Sequence, residues 1–243
     1  MSRIADTFAR LRQEGRPGLI TYTTAGDPDL PRSGAILKAL DRAGADVLEV
    51  GVPFSDPLAD GPVIQRAAER ALAAGSSLRA ALSLIAEVRA DVSAPIVVFS
   101  YANPLLRMGI QPFAARAAAA GLDTIFLLSP TTTEARIRRA AELGRGFLYA
   151  ISRHGVTGAR DQVASGAEAL VRRIRAQTSL PVALGFGISR PEHVAEVGAY
   201  ADAAVVGSAL VSLIAGASGS PGLVDEVEAY ARSLKDACGV PRT

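Results

Sequence analysis

The sequence predicts an α/β fold of parallel strands joined by crossover helices. Short runs rich in Val, Ile and Leu alternate with Ala- and Arg-rich segments of helical period, and polar or glycine residues follow nearly every run. No proline-rich linker or low-complexity segment divides the 243 residues. We therefore predict one domain, 1–243, folded as a TIM-type (βα) barrel. A doubly wound open sheet is the main alternative, but no GxGxxG follows the first strand.

The predicted elements begin with an N-terminal helix, in which Ile4, Phe8 and Leu11 recur at helical spacing. Seven runs have the composition of buried parallel strands, one fewer than the eight strands of the usual barrel. The predicted strands are 18–23, 46–51, 95–101, 122–128, 146–151, 181–186 and 203–207.

Composition limits the classes of function. The formal net charge is only +2 and the arginines are scattered, which gives little support for nucleic-acid binding. No apolar run approaches the roughly 20 residues that span a bilayer, and the N-terminal residues lack a secretory signal pattern. We therefore expect a cytoplasmic protein with no membrane partner. The single cysteine, Cys238, has no second cysteine with which to form a disulfide.

Glu49 is the residue that least fits its surroundings. It lies inside the apolar strand 46–51, where side-chain alternation turns it toward the barrel interior. A buried carboxylate costs several kcal/mol unless it is protonated, paired or hydrogen-bonded, and the flanking strands offer no Arg or Lys. We predict that Glu49 is catalytic, with a buried ion pair as the structural alternative.

Two further carboxylates, Asp56 and Asp60, follow in the loop that leaves the same strand. Asp-Pro and Asp-Gly steps are ordinary turn sequences, and for Asp56 a turn residue is as good an interpretation as any other. Asp60 can fold back over the mouth near Glu49. Two carboxyl groups at one mouth allow one to transfer protons while the other stays ionised.

Glycines follow the last two predicted strands, in GFGIS (185–189) and VGSAL (206–210). Free backbone N–H groups and a helix N-terminus at this place in a barrel commonly bind a phosphate, so a phosphorylated substrate is predicted. The segment 152–160, SRHGVTGAR, has the glycine hinges of a lid, and His154 within it is interpreted as a surface residue.

The scarcity of lysine and histidine narrows the chemistry. Lys38 and Lys235 are the only lysines and neither follows a strand, which argues against a Schiff-base lyase. His154 and His193 stand apart from any carboxylate cluster, so no metal site is predicted. Carbon–carbon cleavage by carboxylates alone needs a leaving group that accepts a proton on carbon, such as an electron-rich heteroaromatic ring.

Six motifs resemble the tryptophan synthase alpha chain family, in order, over nearly the whole length. They are TAGDP (24–28), LEVGVPFSDPLADGPVIQ (48–65), SYANPLL (100–106), SRHGVTGA (152–159), GFGIS and GSALV. The resemblance implies a barrel that cleaves indole-3-glycerol phosphate to indole and glyceraldehyde 3-phosphate by a retro-aldol reaction. It also implies a beta-chain partner in an alpha2-beta2 tetramer. No cofactor is implied in this chain, because pyridoxal phosphate belongs to the beta chain.

The resemblance also assigns roles to residues. Glu49 matches the group that protonates the indole carbon, Asp60 the carboxylate that holds the indole N–H, and Tyr149 an active-site tyrosine beside them. The matched substrate-binding residues are Tyr22, Phe99, Tyr101, Thr157, Gly158, Gly185, Phe186, Gly187, Gly207 and Ser208. The residues matched to the beta-chain interface are Asp56, Pro57 and Asn103.

Relative to the family, one strand–helix unit is absent between the helix 111–120 and the strand 122–128. Barrel radius, tilt and stagger depend on strand number, so the ring must tighten or leave two parallel edges unpaired. We predict direct pairing of 95–101 with 122–128, with 111–120 as the crossover helix, in an incomplete or distorted barrel.

Two other functions remain open. One is an alpha-like chain that docks on and activates a beta chain without cleaving substrate, and the other is a different phosphate-binding barrel enzyme, such as a sugar-phosphate isomerase. Retention of Glu49 and Asp60 favours the lyase over the first, and the distinctive loop after Glu49 favours it over the second.

Overall fold

The computed structural model describes residues 2–119, 124–151, 166–185 and 187–239. Within these ranges, seven strands form one parallel sheet that curls into a partial barrel. All seven predicted strands are confirmed, and all but the first are shorter than predicted. They are β1 (Gly18–Thr24), β2 (Val47–Gly51), β3 (Ile96–Phe99), β4 (Phe126–Leu128), β5 (Leu148–Ile151), β6 (Val182–Gly185) and β7 (Ala203–Val206).

Helices connect the strands on the outside of the sheet. Among the described residues, no single helix is long and apolar enough to cross a membrane. Only the bent helix pair Pro62–Ala73 and Leu78–Val88, counted as one, reaches that length and composition. The helices are α1 (Arg3–Gln13), α2 (Leu30–Arg42), α3 (Pro62–Ala73), α4 (Leu78–Val88), α5 (Ala102–Met108), α6 (Ile110–Ala119), α7 (Glu134–Leu143), α8 (Ala167–Arg175), α9 (Pro191–Gly198), α10 (Ser208–Gly216) and α11 (Leu223–Asp236).

The strand order is β3-β2-β1-β7-β6-β5-β4, so the first and last strands of the chain are neighbours and β3 and β4 end the sheet. The predicted pairing of 95–101 with 122–128 is therefore wrong for the described residues. Each of these strands keeps its partner on the other side, β2 for β3 and β5 for β4. Closing the ring would have required every strand to change its tilt and stagger, because these quantities are linked to strand number. The missing unit leaves an opening instead.

Apolar side chains fill the partial barrel from the end at which the strands begin. The inward faces of the strands contribute residues such as Val47, Phe147 and Ala183, and α1 packs Ile4 and Phe8 against them. The Phe8 and Phe147 ring centroids lie 5.5 Å apart. Two further clusters pack the outward faces of the strands against the surrounding helices. Because α1 covers this end, polar groups of the interior gather at the other end, where the strands finish.

A buried ion cluster holds the α1 end together. Asp46 accepts hydrogen bonds from Arg16 Nη2 at 2.9 Å, Lys235 Nζ at 2.6 Å and the Leu19 backbone N–H at 2.9 Å. Burial alone would raise the pKa of Asp46, but the bonds from Arg16 and Lys235 outweigh it and leave the pKa lowered. Lys235, one of the two lysines, therefore has a structural partner at the end where the strands begin, away from their carboxyl ends.

Candidate active site

Glu49 lies in the middle of β2 and faces the barrel interior, in register with Tyr22 of β1 and Val97 of β3. The residue is only 3% exposed, and burial raises its pKa to about 8. Its Oε2 atom has no hydrogen-bond partner among the described residues. At neutral pH the side chain is therefore a protonated acid inside an apolar pocket.

Three aromatic rings surround the end of the interior next to Glu49. Phe99 meets Tyr22 edge to face with ring centroids 6.2 Å apart, and it lies 6.5 Å from the ring of Tyr149. Burial raises the pKa of both tyrosines, and the charge of Glu49 contributes to each shift. Tyr22, Phe99 and Tyr149, all predicted from the resemblance, thus come together around Glu49 and leave both hydroxyls protonated.

Two glycines give the tyrosine rings room to lie flat against the strands. A Cβ atom at Gly51 would lie 2.1 Å from Tyr22 Oη, and one at Gly185 would lie 2.6 Å from Tyr149 Oη. Any side chain at either position would displace the neighbouring ring. Gly185 belonged to the predicted site, but Gly51 did not. The signal that could have identified Gly51 is its place on the inward face of β2, beside an aromatic residue of the adjacent strand.

Asp60 is held at the mouth by Tyr101. The Tyr101 hydroxyl donates to Asp60 Oδ2 at 3.0 Å and accepts a hydrogen bond from the Ala59 backbone N–H at 3.0 Å. Burial raises the pKa of Asp60, and the bond from Tyr101 opposes that shift by stabilising the ionised carboxylate. Tyr101 therefore serves the carboxylate of the loop, as well as offering a ring to the pocket.

Two residues that sequence reasoning missed fix the loop carrying Asp60. Gln65 Nε2, on α3, donates to the carbonyl oxygens of Asp60 at 2.9 Å and Pro57 at 3.4 Å. The ring of Phe54 lies 5.2 Å from that of Tyr101. Both stood within the quoted motif, but nothing in the sequence indicated which side chains would bond back to the loop.

The predicted phosphate loops follow β6 and β7. Gly187 adopts φ +86°, a left-handed conformation that glycine reaches without strain. Ser208 begins α10, with Gly207 at the N-cap, so the first backbone N–H groups of this helix are free of intrahelical bonds. A Cβ atom at Gly207 would lie 3.5 Å from Tyr22 Cβ. The N-terminus of α10 therefore borders the aromatic pocket.

The remaining predicted residues divide into two groups. Thr157, Gly158 and Phe186 lie outside the described residues, as does His154. Asp56, Pro57 and Asn103 lie on or near the surface, and Asp56 accepts a hydrogen bond from Ser55 Oγ at 2.8 Å. Leu58, between Pro57 and Asp60, is 95% exposed. This rim therefore presents an apolar side chain beside a charged one.

The raised pKa of Glu49 predicts a specific pH dependence of stability. Below pH 4.5, the ordinary pKa, folded and unfolded chains both hold the proton; between pH 4.5 and about 8 only the folded chain does. The unfolding free energy should therefore fall as pH rises through this window, by at most about 1.4 kcal/mol per pH unit from this group. Denaturant titrations of the wild type and Glu49→Gln at stepped pH isolate the effect. A constant difference between the two proteins from pH 5 to 8 would contradict it.

These features define a class of protein. A parallel (βα) barrel with one carboxyl group buried in its interior, a second at its mouth and a helix N-terminus bordering an aromatic pocket is a barrel enzyme. Such a site is suited to acid–base chemistry on an aromatic, anionic substrate. The family model described as "Tryptophan synthase alpha chain" matches this sequence in two pieces, residues 8–124 and 116–239. The chain belongs to the tryptophan synthase alpha chain family.

Similar proteins cover nearly the whole chain. The tryptophan synthase alpha chain of Solibacter usitatus is 44% identical over 264 aligned positions, covering 98% of this chain and 99% of the relative. That of Geobacter sulfurreducens is 45% identical, covering 98% of this chain and all of the relative. A solved tryptophan synthase structure from Mycobacterium tuberculosis superposes with a TM-score of 0.89 at 36% identity, over 98% of this chain and 99% of that one. A Legionella pneumophila alpha subunit gives 0.88 at 32% identity, over 98% of each chain.

Proposed function

We propose that this chain cleaves indole-3-glycerol phosphate to indole and glyceraldehyde 3-phosphate, as the alpha subunit of a tryptophan synthase. The observation that carries the proposal is Glu49, a buried acid with a pKa of about 8 that faces an aromatic pocket and has an oxygen unpartnered among the described residues. A retro-aldol cleavage with an indole leaving group requires a protonated carboxyl group next to the substrate's indole ring, and an aromatic pocket beside Glu49 can hold that ring.

The proton transfers balance on Glu49 alone. The neutral acid donates its proton to the ring carbon that bears the glycerol chain, which leaves a cationic ring and a glutamate carboxylate. The carboxylate then takes the proton of the hydroxyl group on the adjacent side-chain carbon. As the carbon–carbon bond breaks, its electron pair returns to the ring, the alkoxide carbon becomes the aldehyde, and Glu49 is again protonated.

Asp60 stabilises the charge that develops on the ring. The ring nitrogen becomes more acidic when the ring carbon that bears the glycerol chain is protonated, because the positive charge is delocalised onto the nitrogen. An ionised carboxylate that accepts its N–H stabilises this cationic state more than the neutral ground state. The hydrogen bond from Tyr101, at 3.0 Å, supports the ionised form of Asp60. The two carboxyl groups thereby have different roles, acid for Glu49 and electrostatic stabiliser for Asp60.

The phosphate group is assigned to the backbone at Gly187, Gly207 and Ser208. We expect Gly207→Val to weaken binding of glyceraldehyde 3-phosphate and of inorganic phosphate by about tenfold or more, because its methyl groups cover the free N–H groups and crowd Tyr22. Gly207→Ala is the matched control, since a Cβ atom alone makes an ordinary 3.5 Å contact with Tyr22 Cβ. Calorimetric titration measures both. Unchanged binding to the valine variant would place the phosphate elsewhere.

The partner is assigned to a tryptophan synthase beta chain, in an alpha2-beta2 tetramer in the cytoplasm, with pyridoxal phosphate held by the beta chain. Support comes from the rim next to Asp60, where Asp56 and Pro57 directly precede the 95% exposed Leu58 and where Asn103 is also exposed. An exposed apolar side chain beside charged and polar neighbours is typical of a protein interface.

One assay tests the proposal: release of indole from indole-3-glycerol phosphate, with and without a cognate beta chain. Extraction into an organic solvent separates the neutral product indole from the charged, phosphorylated substrate, and the extracted indole is then quantified. We expect release by the chain alone and faster release with the beta chain. Activation of the beta chain without any cleavage would favour a docking-only alpha-like chain, and failure of both would reject the proposal.

A further inference from the structure

The sheet ends in two parallel edges that face the same gap. On β3, the carbonyl oxygens of Pro95 and Phe99 accept bonds from β2, at 3.0 and 2.8 Å. Backbone groups alternate in direction along a strand, so the N–H of Val98 points the other way, toward the opening. The opposite edge is β4, whose only sheet partner among the described residues is β5.

The described strands keep the arrangement of a larger barrel. A ring of seven strands that had closed would have a smaller radius and a different stagger from its relatives. Instead, the chain superposes on the M. tuberculosis structure with a TM-score of 0.89 over 98% of its length. The described strands therefore keep positions close to those of the larger barrel, and no described strand lies between β3 and β4.

The relatives carry additional residues at this place. The alignment with the S. usitatus relative runs over 264 positions, so at least 21 of them have no counterpart among the 243 residues of this chain. The two pieces of the family match overlap at 116–124, between α6 and β4. About 21 residues suffice for one strand of five or six residues, a helix of about eleven and short turns.

The surfaces around the opening are apolar and uncovered. Leu127 of β4 is in register with Tyr149, so its side chain faces the interior, yet it is 44% exposed. In the sequence between β3 and β4, α5 contains no buried residue. Leu106 in α5 is 62% exposed, and Ile110 at the start of α6 is 57% exposed. An apolar strand followed by an amphipathic helix would cover such surfaces, and unpaired parallel edges would bond the strand on both sides.

We propose that the opening between β3 and β4 is a docking surface for a β-strand–helix segment supplied by another polypeptide, which enters as a parallel strand and completes the ring. The occupant has alternating apolar side chains on its inward face, to pack on Phe99 and Leu127, and one apolar helix face. A second copy of this chain does not fit. Its own β3 and β4 are each already covered on one side by β2 or β5, so neither enters the opening as a single strand.

A synthetic peptide tests the docking surface directly. The peptide has the residues of the G. sulfurreducens relative that align with the gap between α6 and β4, with a fluorescent label, and a scrambled peptide of the same composition is the control. We expect saturable binding to the full chain by fluorescence anisotropy. The unfolding midpoint should rise by about 5–10 °C at a peptide concentration about one hundred times Kd. Neither readout depends on catalytic activity.

Two variants at one position show whether the peptide pairs with the edge. Val98→Pro removes the N–H that faces the opening and leaves the bonds to β2 intact, so it should weaken peptide binding by about tenfold or more. Val98→Ala loses a similar side chain but keeps the N–H, and it should bind as the wild type does. Absent binding, equal binding of the scrambled peptide, or equal binding by Val98→Pro and Val98→Ala would overturn the proposal. Sedimentation showing dimers that the peptide does not dissociate would overturn it as well.

Discussion

Glu49→Gln is expected to lower the rate of indole release by about 10²- to 10⁴-fold while the protein remains folded. The amide keeps the size of the side chain and can still hydrogen-bond, but it cannot transfer a proton to the ring carbon or remove one from the hydroxyl group. Both steps assigned to Glu49 are lost together, so the effect is on kcat more than on KM. Steady-state release of indole, quantified after extraction from the charged substrate, measures it.

The control for this variant is the same substitution at a glutamate outside the site. Glu142→Gln changes an exposed side chain on α7 and should leave the rate unchanged. Far-ultraviolet circular dichroism and a denaturant titration establish that Glu49→Gln is folded; removal of a buried acid should make it at least as stable as the wild type above pH 8. A folded Glu49→Gln protein that cleaves substrate at a rate near that of the wild type would eliminate Glu49 as the acid.

Asp60→Asn is expected to lower kcat by about 10²- to 10³-fold, because a neutral amide does not stabilise the charge that develops on the ring nitrogen. Tyr101→Phe is the graded comparison. It removes the 3.0 Å hydrogen bond to Asp60 but keeps the ring that packs on Phe54, so its loss should be smaller. Normal cleavage by Asp60→Asn would leave Asp60 as a turn residue, and a larger loss in Tyr101→Phe than in Asp60→Asn would reverse the two roles.

Local patterns were sufficient to predict the strands and the unusual buried carboxyl group, Glu49. Each strand is a short aliphatic run between turn residues, and such a run forms a strand wherever helices can cover it. Glu49 was identifiable because a carboxyl group in a buried run has an energetic cost that structure alone does not repay. Its burial and raised pKa agree with that reasoning.

Contacts between distant parts of the chain were not predictable in the same way. The hydrogen bond between Tyr101 and Asp60 joins residues 41 positions apart. Gln65 bonds back to the loop that precedes it, and the sequence pattern does not indicate the direction of its side chain. The pairing of β3 with β4 was predicted wrongly because it depends on the curvature of the whole sheet. Local connectivity allowed that pairing, but the packing of the other strands kept the two apart.

The interruption between β3 and β4 changes how the pocket responds to force. A closed ring of hydrogen-bonded strands resists any change of diameter. An open ring can bend like a C-shaped spring, with the paired strands β1 and β7 as its fixed middle. Phe99 lies on β3, on one side of the opening, and Tyr149 lies on β5, on the other side; their ring centroids are 6.5 Å apart across the pocket. Pocket width in this chain is therefore an elastic property, set by how strongly ligands and neighbours draw the two sides together.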